Sequence, residues 1–377
     1  MNTHLQTFEK WLAEYPDQLG RRFHPIAPEI SPAFEKQLRT FNRRKGDLQS
    51  MLLPGRSIEI YADFTDEPFC DAAAGIYDFL GLIAMTKGGI MLPLDMFFNM
   101  FSHPEVLPGI GDSRKERRGP QHNDGLLTNY DDVVSMRLKA GRRWWPTSPV
   151  DDHRNEVAQL CAEIVWSFIM LHELVHIVHG HVEYLKKKMT ARKAIKALKA
   201  NWKACHPPSD LDLQAIELWA DHKAIAVNLG GFLTTRWNSA LFEVFPNPED
   251  KVFIWCFAMH TLFRIWGLKA DPSNLSGDHP PQALRFQIAM MAASLVASSK
   301  FPSLEEKRFS SAMQMGIRES ERAIVYCGGE RLMPDDVVSL IDPRVAAHRA
   351  ALIDHFDNVL RSELPAHSYV DLKSEVA

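Results

Sequence analysis

The sequence predicts a mainly α-helical protein with a small β element. Most of the 377 residues fall into segments whose apolar positions recur every three or four residues, the spacing of a helix with a buried face. Residues 57–64 alternate partially between apolar and polar side chains, which is typical of a strand. There is no internal repeat, and strand signals are few elsewhere, so helices are expected to dominate.

The first 150 residues are predicted to form a region of short elements that packs on the rest of the chain. Residues 1–50 favour surface helices with an apolar stripe at Phe8, Trp11 and Leu12. Residues 103–130 are rich in proline, glycine and charge, which predicts a long loop.

A buried helix is predicted over residues 71–85. Its apolar side chains follow helical spacing: Ile76, Phe79, Leu80 and Ile83. Gly88 and Gly89 are expected to end it, and a short helix covers residues 94–101.

The longest predicted helix runs over residues 154–179. Asp151 and Asp152 can cap its N-terminus, and Gly180 is a typical stop. A strongly basic helix is predicted next, over residues 186–203.

Helices are also predicted over the later part of the chain: 212–229, 250–268, 282–299, 303–325 and 343–362. We expect a turn at Gly230-Gly231, a loop at 272–281, and a polar tail of about 15 residues that frays. The chain then divides into an N-terminal region (1–150), a core (151–300) and a C-terminal helical extension (301–377).

Composition narrows the classes of protein. Hydrophobic residues make up 46% of the chain and charged residues 24%, as in ordinary globular proteins. The net charge of −4 argues against nucleic acid as a partner. The five cysteines are scattered without a Cys-x-x-Cys pair, which fits a reducing compartment and offers no thiolate metal site.

No membrane segment is expected. A membrane span requires roughly 18–20 consecutive apolar residues. The apolar run 164–171 is shorter than this, and the run 252–268 is interrupted before it reaches that length. The N-terminus has no signal-peptide pattern. These features predict a cytoplasmic protein without stable membrane insertion.

The most specific chemical pattern is His172-Glu173-Leu174-Val175-His176. Residues four apart share a helix face, so His172 and His176 can hold one metal ion together. Glu173 points about 100° away around the helix, where its carboxylate can act as a general base. A catalytic zinc site needs a third protein ligand and one open position.

Two nearby histidines are weaker candidates for that third ligand. His179 lies about 10 Å along the helix axis from His172, which is too far. His181 follows Gly180 and would need a turn tighter than the sequence suggests. The metzincin pattern would require glycine at position 179 and histidine at position 182, where this chain has His179 and Val182.

Glu217 is the preferred third ligand. It lies on a separate predicted helix, and its carboxylate would complete a His-His-Glu set suited to zinc. Asp221 follows four residues later on the same helix face. It can accept a hydrogen bond from the second ring nitrogen of a ligating histidine.

Three segments together resemble the motifs of gluzincin metallopeptidases: His172-Glu173-x-x-His176, Glu217-x-x-Ala220-Asp221 and His279-Pro280-Pro281-x-x-x-Arg285. The similarity extends over residues 160–290 and is to the group that contains the CAAX-prenyl endopeptidases and the membrane heat-shock proteases. The resemblance implies a zincin-like core, Glu217 as third ligand, and His279 and Arg285 as stabilisers of the transition state or the site.

The chain lacks the membrane helices of those proteases, which puts a membrane-protein substrate in doubt. It is more similar in layout to the phage-exclusion peptidases of the Lit type, which are cytosolic bacterial enzymes. That resemblance implies cleavage of a folded translation factor, elongation factor Tu.

We therefore expect a zinc endopeptidase with one Zn²⁺ per chain that cuts a specific intracellular protein, in phage exclusion or a stress response. Glu173 would move the proton from water to the departing amine, and His279 or Arg285 would donate to the oxyanion. The alternative is a regulatory or nucleic-acid-binding protein with a structural zinc site, contacting nucleic acid through the basic helix.

Overall fold

The structure, a computed structural model, is mainly helical with one small sheet, as the sequence predicted. It describes residues 3–23, 57–77, 79–116, 127–139, 141, 148–188, 209–234, 244–267, 275, 279–302, 305–332 and 343–372. The predicted division at residues 150 and 300 stays a prediction.

The described residues form eleven main helices and three strands. They are α1 Thr3–Glu14, α2 Pro16–Leu19, β1 Glu59–Thr65, β2 Ala72–Tyr77, β3 Leu80–Thr86, α3 Lys87–Phe101, α4 Tyr130–Lys139, α5 Asp152–Val178, α6 Asp210–Thr234, α7 Pro248–Ile265, α8 Gln282–Lys300, α9 Glu306–Tyr326, α10 Pro343–His355 and α11 Arg361–Glu363. Residues 181–188 are also helical, and a π-helical turn, Phe356–Leu360, joins α10 to α11.

The sheet has the strand order β1-β3-β2. β1 runs parallel to β3, from the pair Glu59–Leu80 to the pair Thr65–Thr86, and β2 runs antiparallel to β3. Among the described residues β2 is therefore an edge strand, bonded to β3 on one side only.

Two layers of helix cover the sheet. Leu80 and Leu82 of β3 pack with Phe8 and Trp11 of α1 in a small cluster. Ile83, from the opposite face of β3, belongs to the main core around α5. α5 packs against α3, α6, α7 and β2, so the helix with the His-Glu-x-x-His pattern lies at the centre of the protein.

The predicted helix over residues 71–85 is wrong, because the segment forms the β2–β3 hairpin. All seven positions of β3 are buried, so the alternation that marks a half-exposed strand is missing. The apolar residues of this segment fit the spacing of a helix only by coincidence. Phe79 lies at the hairpin turn with φ of 64° and 94% of its surface exposed, so it is no core residue.

The expected helix end at Gly88 and Gly89 is also wrong. α3 begins there, and the Thr86 side chain caps it by accepting a hydrogen bond from the Gly89 amide at 2.9 Å. A Cβ at Gly88 would clash with the Pro68 carbonyl oxygen. Glycine therefore serves close backbone packing at this position.

Later predictions had mixed outcomes. α5 begins after Asp151, whose side chain accepts hydrogen bonds from the His153 and Arg154 amides, as expected. The turn at Gly230-Gly231 is wrong, since both residues lie within α6. Of the predicted basic helix, residues 186–188 are helical and residues 189–203 lie outside the described residues.

The expected fraying of the C-terminal tail is wrong for residues 364–372. Leu364, Val370 and Leu372 are buried. The Tyr369 amide donates to the carbonyl oxygen of Val178, the last residue of α5, at 2.7 Å. The tail therefore packs against the end of α5.

By length and composition alone, one described helix, α5, is long and apolar enough to cross a membrane. The qualifying window of this helix is 94% buried inside the protein, which is the character of a core helix.

Candidate metal centre

His172 and His176 project from the same face of α5, as their spacing requires. Their Nε2 atoms lie 3.0 Å apart, and both side chains are buried. Two imidazoles directed at one point, once both are neutral, are a natural site for zinc or another transition metal.

Glu217 approaches this pair from α6. Its Oε2 lies 3.2 Å from His172 Nε2, and its Oε1 lies 3.5 Å from His176 Nε2. Tetrahedral zinc with bonds of about 2.0–2.2 Å separates its ligand atoms by about 3.3–3.6 Å. The buried His172–His176–Glu217 group could thus bind a metal ion, and its donor atoms all lie within 4.8 Å of one another.

Asp221 lies one turn of α6 beyond Glu217 and contacts the other side of the His172 ring. Its Oδ1 is 2.9 Å from His172 Nδ1, although the angle falls outside ordinary hydrogen-bond geometry. Asp221 is fully buried. This is the placement that a residue orienting His172 needs.

Arg285 of α8 anchors Asp221. Its Nε donates to Oδ2 at 2.7 Å and its Nη2 donates to Oδ1 at 2.8 Å. The guanidinium group also lies 4.9 Å from the centre of the Trp266 ring and 4.0 Å from Glu217. Arg285 therefore fixes the carboxylates that face the histidines.

His279 lies at the outer side of the group. Its Nδ1 is 3.5 Å from Glu217 Oε2, and its side chain is 64% exposed. A hydrogen bond to Glu217 raises the pKa of His279. The six residues described so far, all of them predicted from the sequence, therefore line or support one site.

The ionisable groups of the site shift one another's pKa values. Burial alone would lower the pKa of His172, but the neighbouring carboxylates of Asp221 and Glu217 raise it to about 10. Burial lowers the pKa of His176 to about 4. Although burial opposes it, the neighbouring histidines and Arg285 hold the pKa values of Glu217 and Asp221 below the ordinary range. Two carboxylates thus stay ionised beside the donor atoms.

Glu173 lies in the same cleft and has a different environment. Burial raises its pKa to about 8, Glu217 and Asp71 act in the same direction, and His172 and Arg285 oppose them. A carboxylate with a pKa near neutrality can take up and release protons at physiological pH.

A cleft of about 810 Å³ opens over these residues. One wall is the whole of β2, from Ala72 to Tyr77, and α1 contributes Trp11 and Glu14. His172, Glu173, His176 and Glu217 also line it. The donor atoms therefore face an open cleft of this volume.

Three residues of the site were missed by sequence reasoning. Asp71 and Trp266 line the cleft near Arg285, but no motif marks either residue. Burial raises the pKa of Asp71, which also interacts electrostatically with Arg285 and His279. Neither residue could have been found from local pattern.

The third is His181, which was considered only as a weak candidate for the third ligand; the tight turn that the sequence did not suggest does form. Gly180 adopts φ of 77°, and the chain reverses tightly enough for His181 Nδ1 to lie 3.2 Å from His176 Nδ1. Gly180 was the available signal, since glycine readily adopts positive φ. His179, by contrast, accepts a hydrogen bond from Trp219 Nε1 at 3.0 Å, away from the donor group.

Comparison with known proteins gives no relative: no family model matches the chain, and neither a curated protein nor a solved structure matches it.

Proposed function

We propose that this protein is a zinc-dependent endopeptidase that cuts a specific intracellular protein. The observation that carries the proposal is the buried His172–His176–Glu217 group, which shares its cleft with the carboxylate of Glu173. A structural metal site has no need of a further carboxylate with a pKa near neutrality, whereas hydrolysis does.

His172, His176 and Glu217 would hold the zinc ion, and Asp221 would orient His172. When bound, zinc supplies a Lewis acid for the scissile carbonyl and lowers the pKa of water to about 7. The donor distances of 3.0, 3.2 and 3.5 Å lie within about 0.3 Å of the separations that tetrahedral zinc requires, which supports this metal.

Glu173 would accept the proton of the attacking water and pass it to the departing amine. Its burial supports this role, because a desolvated carboxylate is a stronger base than one in water. A cation in the site would lower the pKa of Glu173 and keep it ionised before each turnover.

His279 would donate a hydrogen bond to the oxyanion of the transition state. Its side chain lies beside Glu217 and is largely exposed, so it can reach a bound substrate. Arg285 is committed to Asp221, which favours a role in positioning the site.

The edge strand β2 supports a polypeptide as substrate. An extended chain can hydrogen-bond to the outer side of an edge strand, and β2, an edge strand among the described residues, lines the cleft along its full length. We further propose a cytoplasmic location and a role in phage exclusion or a stress response. The resemblance to Lit-type gluzincin peptidases supports these points.

The test compares cells that express the wild type with cells that express Glu173→Gln, using proteomics of protein termini. We expect new N-termini in the first culture that are absent from the second. Glu156→Gln is a matched control, because Glu156 is an exposed carboxylate on the same helix. New termini shared by wild type and Glu173→Gln would refute the proposal.

A further inference from the structure

The two histidines of the donor group have different partners at their second ring nitrogens. His172 Nδ1 faces the carboxylate of Asp221 at 2.9 Å. His176 Nδ1 faces another imidazole, His181 Nδ1, at 3.2 Å. Metal-ligating histidines depend on such partners, because the partner sets the tautomer and the orientation of the ring.

The backbone holds His181 in this position. Gly180 has φ of 77°, and a Cβ at Gly180 would overlap the backbone of His367 in the C-terminal tail. The Tyr369 amide donates a hydrogen bond to the carbonyl oxygen of Val178, and the Tyr369 hydroxyl donates one to Glu183 at 2.9 Å. The turn that brings His181 back to His176 is therefore packed from outside by the tail.

The ring of His181 is completely buried and stands edge-on to His176, with ring centres 5.1 Å apart and planes at 75°. Its Nε2 has no hydrogen-bond partner among the described residues. Buried polar atoms normally have hydrogen-bond partners. The polar contact that holds the buried His181 ring is therefore the one at its Nδ1.

Tautomer chemistry decides the direction of that contact. If His176 uses Nε2 to bind a metal ion, its Nδ1 carries the hydrogen atom and must donate. His181 Nδ1 then accepts through its lone pair, and the hydrogen atom of His181 lies on Nε2. Two Nδ1–H groups could not face each other at 3.2 Å.

We propose that His181 is a positioning residue, whose uncharged imidazole accepts a hydrogen bond from His176 and holds it for metal binding. His181 is no fourth ligand, because it contacts the side of the His176 ring opposite the donor group. The proposal rests on the metal site of the proposed function and needs no peptidase activity.

Three substitutions at position 181 test it. In His181→Asn the amide oxygen is as many bonds from Cβ as Nδ1 is, so the acceptor is kept. In His181→Gln the polar group is moved to the position of Nε2, and His181→Leu removes it. Zinc affinity is measured by competition with a chromophoric chelator, and cobalt(II) substitution reports ligand geometry by visible absorption.

We expect His181→Leu and His181→Gln to bind zinc about 10- to 100-fold more weakly than the wild type, with a changed cobalt spectrum. His181→Asn should restore most of the affinity and the wild-type spectrum. Thermal unfolding in the presence of chelator separates loss of fold from loss of metal, and the Asn–Gln comparison remains valid if His181→Leu does not fold.

Wild-type affinity in His181→Gln, or equal losses in His181→Asn and His181→Gln, would overturn the positioning role. If the wild type binds no zinc, this proposal and the metal site fall together. A wild type that binds zinc but cuts no protein refutes the peptidase and leaves the role of His181 standing.

Discussion

Asp221 and Arg285 form a buried two-point ion pair, with Nε 2.7 Å from Oδ2 and Nη2 2.8 Å from Oδ1. The pair joins α6 to α8. Since Asp221 also faces His172 on α5, a single carboxylate links the three helices that surround the donor group. Arg285 thereby fixes the geometry of the site without being a metal ligand.

Breaking this pair should be costly. Arg285→Leu leaves the Asp221 carboxylate buried without its main partner, so we expect the metal-free protein to lose about 3–5 kcal/mol of unfolding free energy. Urea unfolding measures the loss. Asp357→Asn removes the exposed partner of Arg361 and should cost less than about 1 kcal/mol. Equal losses in the two variants would contradict a structural role for the buried pair.

Removal of Glu217 should abolish stable metal binding. Glu217→Ala leaves two imidazoles, which are too few for a zinc site. Elemental analysis after dialysis should find one zinc per wild-type chain and far less per variant chain. Asp210 is an exposed carboxylate at the start of the same helix, and Asp210→Asn should keep the full zinc content. Unchanged zinc in Glu217→Ala would exclude it as a ligand.

Substitution of His279 should separate catalysis from metal binding. His279→Ala removes an exposed side chain that touches Glu217 but is outside the donor group, so zinc content should be unchanged. Turnover should fall by about 100- to 1,000-fold if His279 donates to the oxyanion. Wild-type turnover in this variant would rule out its catalytic role.

Zinc binding should release protons and strengthen as pH rises. The pKa of His172, about 10, lies above neutrality, so the metal-free protein carries a proton there at pH 7. A ligating imidazole must lose it, so zinc affinity should rise about tenfold per pH unit between pH 6 and 8 for each proton released. Calorimetry in buffers of different ionisation enthalpy counts the protons.

Asp221→Asn provides the control for this pH dependence. Asp221 raises the pKa of His172, so the variant should hold the competing proton less tightly and release fewer protons on binding zinc. If the wild type releases none at pH 7, His172 is neutral in the metal-free protein and this prediction is wrong.

Gly180 should be intolerant of a side chain. Gly180→Ala places a Cβ against His367 at a positive φ, whereas Gly267, with φ of 84°, has nothing within 4 Å of such a Cβ. Gly267→Ala should therefore cost only the backbone strain, about 1–2 kcal/mol. Gly180→Ala should cost clearly more by thermal unfolding. Similar losses of stability in the two variants would show that the C-terminal tail does not pack closely against the turn at Gly180.

Local pattern was sufficient for much of the site. The cap at Asp151 and the four-residue spacing of His172 and His176 are properties of one helix. The spacing of Glu217 and Asp221 is a property of another. His172 and His176 therefore share one helix face and Glu217 and Asp221 another, as predicted, because helical periodicity decides which side chains of one helix lie together.

Other features depended on contacts between segments distant in the chain. The apolar residues of 71–85 fit a helix as well as a strand, and only burial of β3 between β1 and β2 selects the hairpin. That choice creates the edge strand along the cleft. Similarly, Gly180 permits many turns, but packing of residues 364–372 selects the one that places His181 beside His176.

The sequence by itself thus determined which helices carry the donor atoms and which faces those atoms occupy. The tertiary structure decided how the helices meet, which strand forms a wall of the cleft, and which residue supports His176. The physical reason is that periodicity records the demands of a single element, whereas turns and edges depend on packing between elements that are not neighbours in sequence.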